Sequence, residues 1–312
     1  MDKKQIISPD GCKKECIRLI EQLGKTHGCW EVFSSLIQMF AISISNWFDF
    51  THYDEREKLY LEEAGKYNSD ELQVLVNITA QLTSAIALLA NSPCDILGSI
   101  FHDMNLHNKW RGQFFTPQHI CDMMAEISIG KEGFPAGNDY FSVSEPTCGS
   151  GAMILGFAKA MKKRGLSVED SMVVTATDID LRCVYMTYIQ FSLYGIPAVV
   201  THGNSMTMEE WSHWYTPAYL MGRWQQKLLT ESSTEGNNKE AKIMNEQSEL
   251  VKGYLTCIPT SDGNFRSALQ RASDDELNCA IKIMENRDGN KNRILACRRE
   301  LKRRLKNGGG AK

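Results

Sequence analysis

The amino-terminal third of the chain places apolar residues at helical spacing. One series repeats every three to four positions between residues 33 and 44, and a second does so between residues 72 and 89. Their members are Phe33, Leu36, Ile37, Phe40, Ile44, Leu72, Leu75, Val76, Leu82, Ile86 and Leu89. This period puts the apolar side chains on one face of each helix, and no strand-like alternation interrupts them. We therefore predict a helical domain over residues 1–105.

The pattern changes over residues 106–224. Three short β-prone runs, at 140–145, 172–177 and 198–201, alternate with two helical stretches. Strand–helix–strand alternation predicts a parallel sheet with crossover helices. In such sheets ligands bind outside the carboxyl ends of the strands, so candidate chemistry is expected there.

The rest of the chain is polar and then basic. Residues 225–261 are rich in Glu, Ser, Asn and Lys, which is typical of a linker. Residues 262–312 predict a small helical hairpin, and residues 291–312 hold nine Lys or Arg residues against one acidic residue. A local basic contact surface and a solvated helix face both fit this charge pattern.

Composition excludes several classes of protein. The chain has 312 residues, 42% of them hydrophobic, and a net charge of -3, so it can bury a core and is not a uniformly basic nucleic-acid coat. The ten cysteines form no CxxC pair, and no metal site is expected. The most apolar window, Ile78 to Ala90, is shorter than the about 20 residues of a bilayer span. We expect a cytoplasmic protein with reduced thiols and no membrane contact.

A glycine turn follows the first predicted strand. The segment Glu145-Pro146-Thr147-Cys148-Gly149-Ser150-Gly151 joins that strand to a helix, and Asp178 ends the next strand. Glycines let the backbone approach a ligand closely, and a carboxylate at the strand end accepts hydrogen bonds from ribose hydroxyls. A dinucleotide would favour a third glycine where Ile154 stands, whereas S-adenosylmethionine has no pyrophosphate and needs only the turn and the acid. Asn204, after the third strand, offers an amide for an adenine ring.

Two motifs together resemble a known family. Gly112-Gln113-Phe114-Phe115-Thr116-Pro117 is similar to the entry motif of N-6 adenine-specific DNA methyltransferases, and the segment from Glu145 to Gly151 is similar to their (D/E)PxCGSG motif. Gly203-Asn204-Ser205 resembles their adenine-side motif, and Asp95-Ile96-Leu97-Gly98 resembles the helical approach to it. The likeness covers residues 30–220. It is to the modification subunits of type I restriction systems and their phage or mobile-element relatives.

The resemblance implies a Rossmann-like α/β methyltransferase fold that binds S-adenosylmethionine, with a helical N-terminal domain and a small helical C-terminal region. Its implied cofactor-binding residues are Phe115, Thr116, Pro117, Glu145, Thr147, Cys148, Gly149, Ser150, Gly151, Asp178, Ile179 and Asn204. Core packing is the alternative for an aromatic such as Phe115. Cys148, between a proline turn and a glycine, is interpreted as a small loop residue rather than a nucleophile.

The family's catalytic motif, (D/N/S)PP(Y/F/W), is missing, since the chain contains no Pro-Pro pair. The nearest approximation gives Thr216, Pro217 and Tyr219 as candidate catalytic residues. Tyr219 would either stack on a flipped base or pack under a helix, and packing is favoured. The chain is thus an active enzyme for adenine in DNA, a degenerate cofactor- and DNA-binding paralogue, or one part of a site that another subunit completes. A methyltransferase for a non-DNA substrate also stays open.

The partners that the resemblance implies are DNA and a separate specificity subunit, with a homo-oligomer left open. The candidate DNA-binding residues are Arg298, Arg299, Lys302, Arg303 and Arg304, because a basic helix contacts phosphates. A hairpin for protein contact is the rival interpretation.

Overall fold

The structure is a computed structural model that describes residues 8–106, 115–129, 140–232, 277, 294 and 297–303. By its contacts the chain divides into two compact units. One comprises residues 1–44 and 58–229, and the other comprises residues 45–57 and 230–312. The predicted helical and sheet domains therefore share one unit, and the predicted boundary at residue 105 is not a boundary between compact units. The bounds of the predicted linker and hairpin stay predictions.

Helices form the amino-terminal part of the chain, as the apolar period predicts. They are α1 Pro9–His27, α2 Cys29–Phe48, α3 Tyr53–Ala64, α4 Ser69–Leu88 and α5 Ile96–Asp103. Polar side chains start three of them: Ser8 caps α1, Asp95 caps α5, and Asn68 with Glu71 forms a capping box at α4. These caps satisfy backbone N–H groups that a helix start leaves without partners.

A mixed four-stranded sheet follows α6 Gln118–Ile129. Its strands are β1 Phe141–Glu145, β2 Met172–Asp178, β3 Ala198–Asn204 and β4 Glu209–Tyr215, in the order β1-β2-β3-β4. The first three strands are parallel, which confirms the predicted parallel pairing, and β4 runs antiparallel to β3. The connections are α7 Ala152–Lys163, α8 Val168–Ser171 and α9 Leu181–Tyr194, and α10 Pro217–Met221 and α11 Trp224–Ser232 follow β4.

One face of the sheet packs on helices. Phe141 stacks edge-on against Phe157 of α7, and Trp214 of β4 stacks against Tyr185 and Tyr188 of α9. Helix α9 is buried almost throughout because α4 and α5 pack on it as well as the strands. The carboxyl edge of β1 to β3 is thereby held against the helical segment.

The other face of the sheet is covered only in part among the described residues. Val173 packs there with Tyr219 and Trp224 of α10 and α11, while Ser142, Ser144 and Thr175 are exposed. Since Trp224–Ser232 is helical, the predicted linker does not begin at residue 225. The rest of that linker lies outside the described residues.

Helix α4 is long and apolar enough to cross a bilayer, with a mean hydropathy of 1.2 over its most apolar window. The helix pair α1 and α2 passes the same test only as one bent span, with an angle of 116° between them. The stripe of α4 that contains Leu75, Ile78 and Leu82 is buried in the helical core, where α1 is its main partner. A core helix of a globular protein has the same length and composition.

Candidate functional site

The glycine turn between β1 and α7 closes directly on the carboxylate at the end of β2. The N–H of Gly149 donates to Oδ2 of Asp178 at 2.9 Å, and the N–H of Cys148 donates to the carbonyl of Thr177 at 2.9 Å. Gly149 and Gly151 both have positive φ, of 55° and 92°. Such backbone strongly favours glycine, which explains why the turn needs these residues.

Asp178 is the central acid of the site. Its Oδ1 accepts from the N–H of Asp180 at 2.9 Å, and its Oδ2 accepts from Gly149. Burial raises the pKa of the Asp178 carboxyl, although these backbone N–H groups oppose the rise. The backbone N–H of Ile179 also acts on this carboxyl, and since a carboxylate offers about four acceptor positions, at least one remains for a further donor.

Phe115 brings the entry motif to the same turn. A methyl group added at Gly149 would lie 3.0 Å from Cδ1 of Phe115, so the ring borders the turn. The ring also packs against Phe101 of α5, with centroids 5.2 Å apart. Thr116 and Pro117 are exposed beside it. The first three residues of the motif, 112–114, lie outside the described residues.

The other loop residues divide into exposed and buried groups. Glu145 is half-buried, and its Oε1 accepts from the N–H of exposed Thr147 at 3.2 Å. Ser150 and Cys148 are buried. Burial, together with the nearby Asp178 carboxylate, strongly raises the pKa of the Cys148 thiol. That environment disfavours the thiolate, as the interpretation of Cys148 as a loop residue requires.

Ile179 and Asn204, which were predicted on the adenine side, both lie at the carboxyl edge of the sheet. They differ in how much of each side chain is available to a ligand. Ile179 is 62% exposed and directly follows Asp178. The Oδ1 of Asn204 accepts from the N–H groups of Met206 and Thr207, at 3.0 and 3.3 Å. Its oxygen therefore closes the β3–β4 turn, and any contact with a ligand falls to its amide NH₂ group.

A small recess lies beside Phe115. Its lining combines aromatic, aliphatic and charged side chains: Trp30, Phe33, Ser34, Phe101, Phe115, Asp180, Arg182, Cys183 and Met186. The Arg182 guanidinium lies 4.5 Å from the ring centroid of Trp30 and pairs with Asp180 at 2.6 Å. The recess adds an aromatic wall from the helical segment, which the sequence did not indicate.

Three further residues hold the turn, and sequence analysis missed the role of all of them. Asp95 accepts a hydrogen bond from the Ser150 hydroxyl, Thr187 donates to the carbonyl of Gly149 at 2.9 Å, and Gln190 donates to the carbonyl of Ser150 at 2.7 Å. A weak signal was present in the sequence, since Thr187 and Gln190 are polar residues in the middle of a largely apolar helix. A polar residue on a buried helix needs a partner.

Thr216, Pro217 and Tyr219 lie at the opposite edge of the sheet, so the structure does not bring these predicted catalytic residues together with the glycine turn. Because β4 is antiparallel, its carboxyl end pairs with the start of β3, where the N–H of Thr216 donates to the carbonyl of Ala198. Asn204 ends β3 six residues later, about 20 Å away at about 3.3 Å per residue. The Thr216 side chain is fully buried, and Tyr219 is 6% exposed. Tyr219 packs with Val173 and Trp224, as the favoured alternative predicts.

We expect Thr216→Val to lower stability without changing cofactor affinity. The Thr216 hydroxyl donates to the carbonyl of Ile196 at 2.8 Å and accepts from the N–H of Ala198 at 2.9 Å. Valine leaves both groups buried without these partners, which costs about 1–3 kcal/mol of unfolding free energy. Denaturant unfolding and calorimetric titration with S-adenosylhomocysteine measure the two quantities. Weaker binding at unchanged stability would mean that Thr216 does contribute to the cofactor site.

The predicted DNA-binding residues lie in the second unit. Residues 297–303 are helical, and Arg298, Arg299, Lys302 and Arg303 are exposed there. Arg303 pairs with Glu300 at 2.7 Å. Arg304 lies outside the described residues. Within the described ranges, no group of three or more His, Cys, Asp or Glu side chains could hold a metal ion.

A glycine turn closed on a strand-end carboxylate is typical of the α/β domains that bind a ribose-containing ligand at the carboxyl edge of the sheet. Residues 95–245 match the model of the N-6 DNA Methylase family. This match confirms the predicted family, and the segment from residue 95 to residue 245 belongs to it. At the level of its class, this family is one of DNA methyltransferases, for which DNA is the substrate class. Comparisons with curated proteins and with solved structures gave no match.

Proposed function

We propose that this protein binds S-adenosylmethionine at the carboxyl edge of β1 to β3 and takes part in methylating the exocyclic amino group of adenine in DNA, in a cytoplasmic system of the restriction-modification type. The supporting observation is that three separate sequence motifs converge there. Asp178, the turn around Gly149 and the ring of Phe115 meet within hydrogen-bond and van der Waals distance.

The residues present fit this cofactor in chemistry. Asp178 has acceptor capacity left for a ribose hydroxyl, and half-buried Glu145 is suited to the ammonium of the methionine part. The glycine turn leaves space where side chains would meet Phe115 and Phe191. When bound, the cofactor would supply an electrophilic methyl group for the exocyclic amino nitrogen of adenine.

What this chain contributes beyond binding is orientation and exclusion of water. The aromatic recess beside Phe115 and the buried turn fix one side of the site. Holding two reacting groups in line removes much of the entropic barrier of a bimolecular step. The proposed DNA contact is the exposed basic surface of residues 298–303.

A second function is favoured by the position of Thr216 to Tyr219. With that segment at the far edge and no Pro-Pro pair in the sequence, no acceptor for the amino hydrogens of adenine has been identified in this chain. The chain alone is then a cofactor- and DNA-binding protein without turnover. A specificity subunit or a second copy would complete the site.

Two measurements on the full chain separate these functions. Calorimetric titration with S-adenosylmethionine tests the binding that both share, and tritiated methyl transfer to unmethylated genomic DNA tests turnover. Binding with transfer supports the enzyme, and binding without transfer supports the second function. If neither the cofactor nor S-adenosylhomocysteine binds, both functions are refuted.

We expect the double variant Arg299→Ala/Lys302→Ala to weaken DNA binding. Each lysine or arginine that contacts a phosphate displaces counterions, so losing two should reduce the salt slope of the binding constant by about 2. Fluorescence anisotropy with a labelled duplex at several NaCl concentrations measures this slope. The control Lys25→Ala/Lys58→Ala removes the same charge from exposed positions on α1 and α3 and should leave the slope unchanged. Equal slopes in both double variants would exclude the basic helix from the DNA contact.

A further inference from the structure

The glycine turn is held from behind by two polar residues of α9. Thr187 and Gln190 stand three positions apart, so they share one face of the helix, and both are fully buried. Thr187 Oγ1 donates to the carbonyl of Gly149, and Gln190 Nε2 donates to the carbonyl of Ser150. Because a trans peptide points its N–H opposite to its C=O, the Ser150 N–H is directed away from α9, toward the open side of the turn.

The same glutamine joins the turn to the start of α5. Its Oε1 accepts from the N–H groups of Ile96 and Leu97, at 2.8 and 3.2 Å. Its Nε2 also donates to Oδ1 of Asp95 at 2.9 Å. Gln190 therefore contacts both the first turn of helix α5 and the glycine turn.

Asp95 completes this connection from the α5 side. Its Oδ1 caps the helix by accepting from the Gly98 N–H at 2.7 Å, and its Oδ2 accepts from the Ser150 hydroxyl. A methyl group added at Gly98 would lie 2.0 Å from Asp95 Oδ2 and 2.6 Å from Ser150 Oγ. The side chains of this network are closely packed, so each is restricted to one conformation. Burial raises the pKa of Asp95 while Ser150, Gln190 and Gly98 oppose that rise.

Packing alone does not require this chemistry. Helix α5 already buries Ile96, Leu97, Ile100 and Phe101 in the core. Burying a carboxylate and an amide costs free energy that only complete hydrogen bonding offsets. The polar groups of Asp95 and Gln190 contact the glycine turn or the cap of α5 beside it.

We propose that Asp95 and Gln190 are positioning residues that hold the Gly149–Gly151 turn in its cofactor-binding shape, acting through Ser150. The affinity for the cofactor then depends on the docking of α5 against the turn. This inference rests on the proposed binding of S-adenosylmethionine. It assigns to the helical segment a direct part in that binding.

The test is a double-mutant cycle on the full chain with S-adenosylhomocysteine as the probe. We expect Asp95→Ala and Ser150→Ala each to weaken binding about tenfold, and the double variant to bind no more weakly than the weaker single variant. The conservative variant Asp95→Asn should restore affinity to within about threefold. Its amide donates to the Ser150 oxygen and still accepts from Gly98.

The matched control is Asn68→Ala, which removes the cap of α4 at a helix start that contacts no part of the turn. It should lower the melting temperature as Asp95→Ala does and leave affinity unchanged. Losses of affinity that simply add in the double variant, or an unchanged affinity in Ser150→Ala, overturn the proposal. If Asp95→Ala fails to fold, Ser150→Ala and Asp95→Asn still decide it.

A failure of the proposed function gives a different result. If the unmodified chain binds neither S-adenosylmethionine nor S-adenosylhomocysteine, the function is refuted while the positioning is still measured by amide hydrogen exchange. Asp95→Ala and Ser150→Ala should each speed exchange at residues 149–151 about tenfold, and Asn68→Ala should not. Equal exchange in all three variants overturns the positioning role.

Discussion

Asp178→Asn should weaken the binding of S-adenosylmethionine about 10- to 100-fold. The substitution replaces one carboxylate oxygen by an NH₂ group. This donor then faces the N–H of Gly149 or of Asp180, which is also a donor, so a hydrogen bond that orders the site is lost. Hydrogen bonds to a charged group contribute about 1.5–3 kcal/mol, and 1.4 kcal/mol corresponds to a tenfold change in affinity. Calorimetric titration of the folded variant measures the loss.

The pH dependence gives the same prediction a second signature. Because burial raises the pKa of Asp178 above its ordinary value of 3.8, the carboxyl takes up a proton at a higher pH than an exposed aspartate does. Affinity should therefore fall on acidification in the unmodified protein, since the protonated acid accepts fewer hydrogen bonds. The part of this fall that Asp178 causes should be absent in Asp178→Asn, so affinity should depend less on pH in that variant. The control Asp70→Asn, at an exposed position of α4, should bind as the unmodified protein does at every pH.

Gly151→Ala should destabilise the protein by about 2–4 kcal/mol and abolish measurable cofactor binding. At φ of 92° a side chain is strained, and the added methyl group would lie 2.8 Å from Cε1 of Phe191 and 3.2 Å from Thr187 Oγ1. Backbone strain of this kind costs about 1–3 kcal/mol, and overpacking a core costs a similar amount. Urea unfolding and titration with S-adenosylhomocysteine measure the two effects.

The matched control for this substitution is Gly165→Ala. Gly165 also has a positive φ, of 73°, but an added methyl group would meet nothing within 4 Å. The Gly165→Ala variant should lose only the unfolding free energy that the backbone strain costs, and its affinity for the cofactor should not change. Equal losses in the two variants would mean that the close approach of α9 to the turn contributes nothing, contrary to the geometry.

The position of the site also follows from how the sheet is wound. Strands β1, β2 and β3 are added in one direction, and parallel strands place all their carboxyl ends at the same edge. That shared edge is why residues as distant in sequence as Gly149 and Asp178 come within hydrogen-bond distance. The antiparallel β4 reverses this order, so the residues after it emerge at the other edge.

The sequence by itself determined the parallel core and the family, and it predicted the edge of the sheet at which a ligand binds. Local pattern suffices for these, because strand and crossover-helix periods fix the direction of β1 to β3 and glycines mark the turn. The contacts of Gly149 with Asp178 and Phe115 agree with the predicted grouping of motifs. Helix α9 likewise lies between β2 and β3, where the sequence analysis placed the second helical stretch.

Only the tertiary structure decided which way β4 runs, and with it the fate of Thr216. The run Glu209–Tyr215 is polar at its start, and its pairing with β3 depends on contacts of Trp214 with α9 that no local pattern encodes. The roles of Asp95 and Gln190 were hidden for the same reason. Gln190 has its hydrogen-bond partners in other elements of the fold, about 40 to 95 residues away, and Asp95 accepts from Ser150, 55 residues away. A hydrogen bond of that range exists only once those elements have packed together.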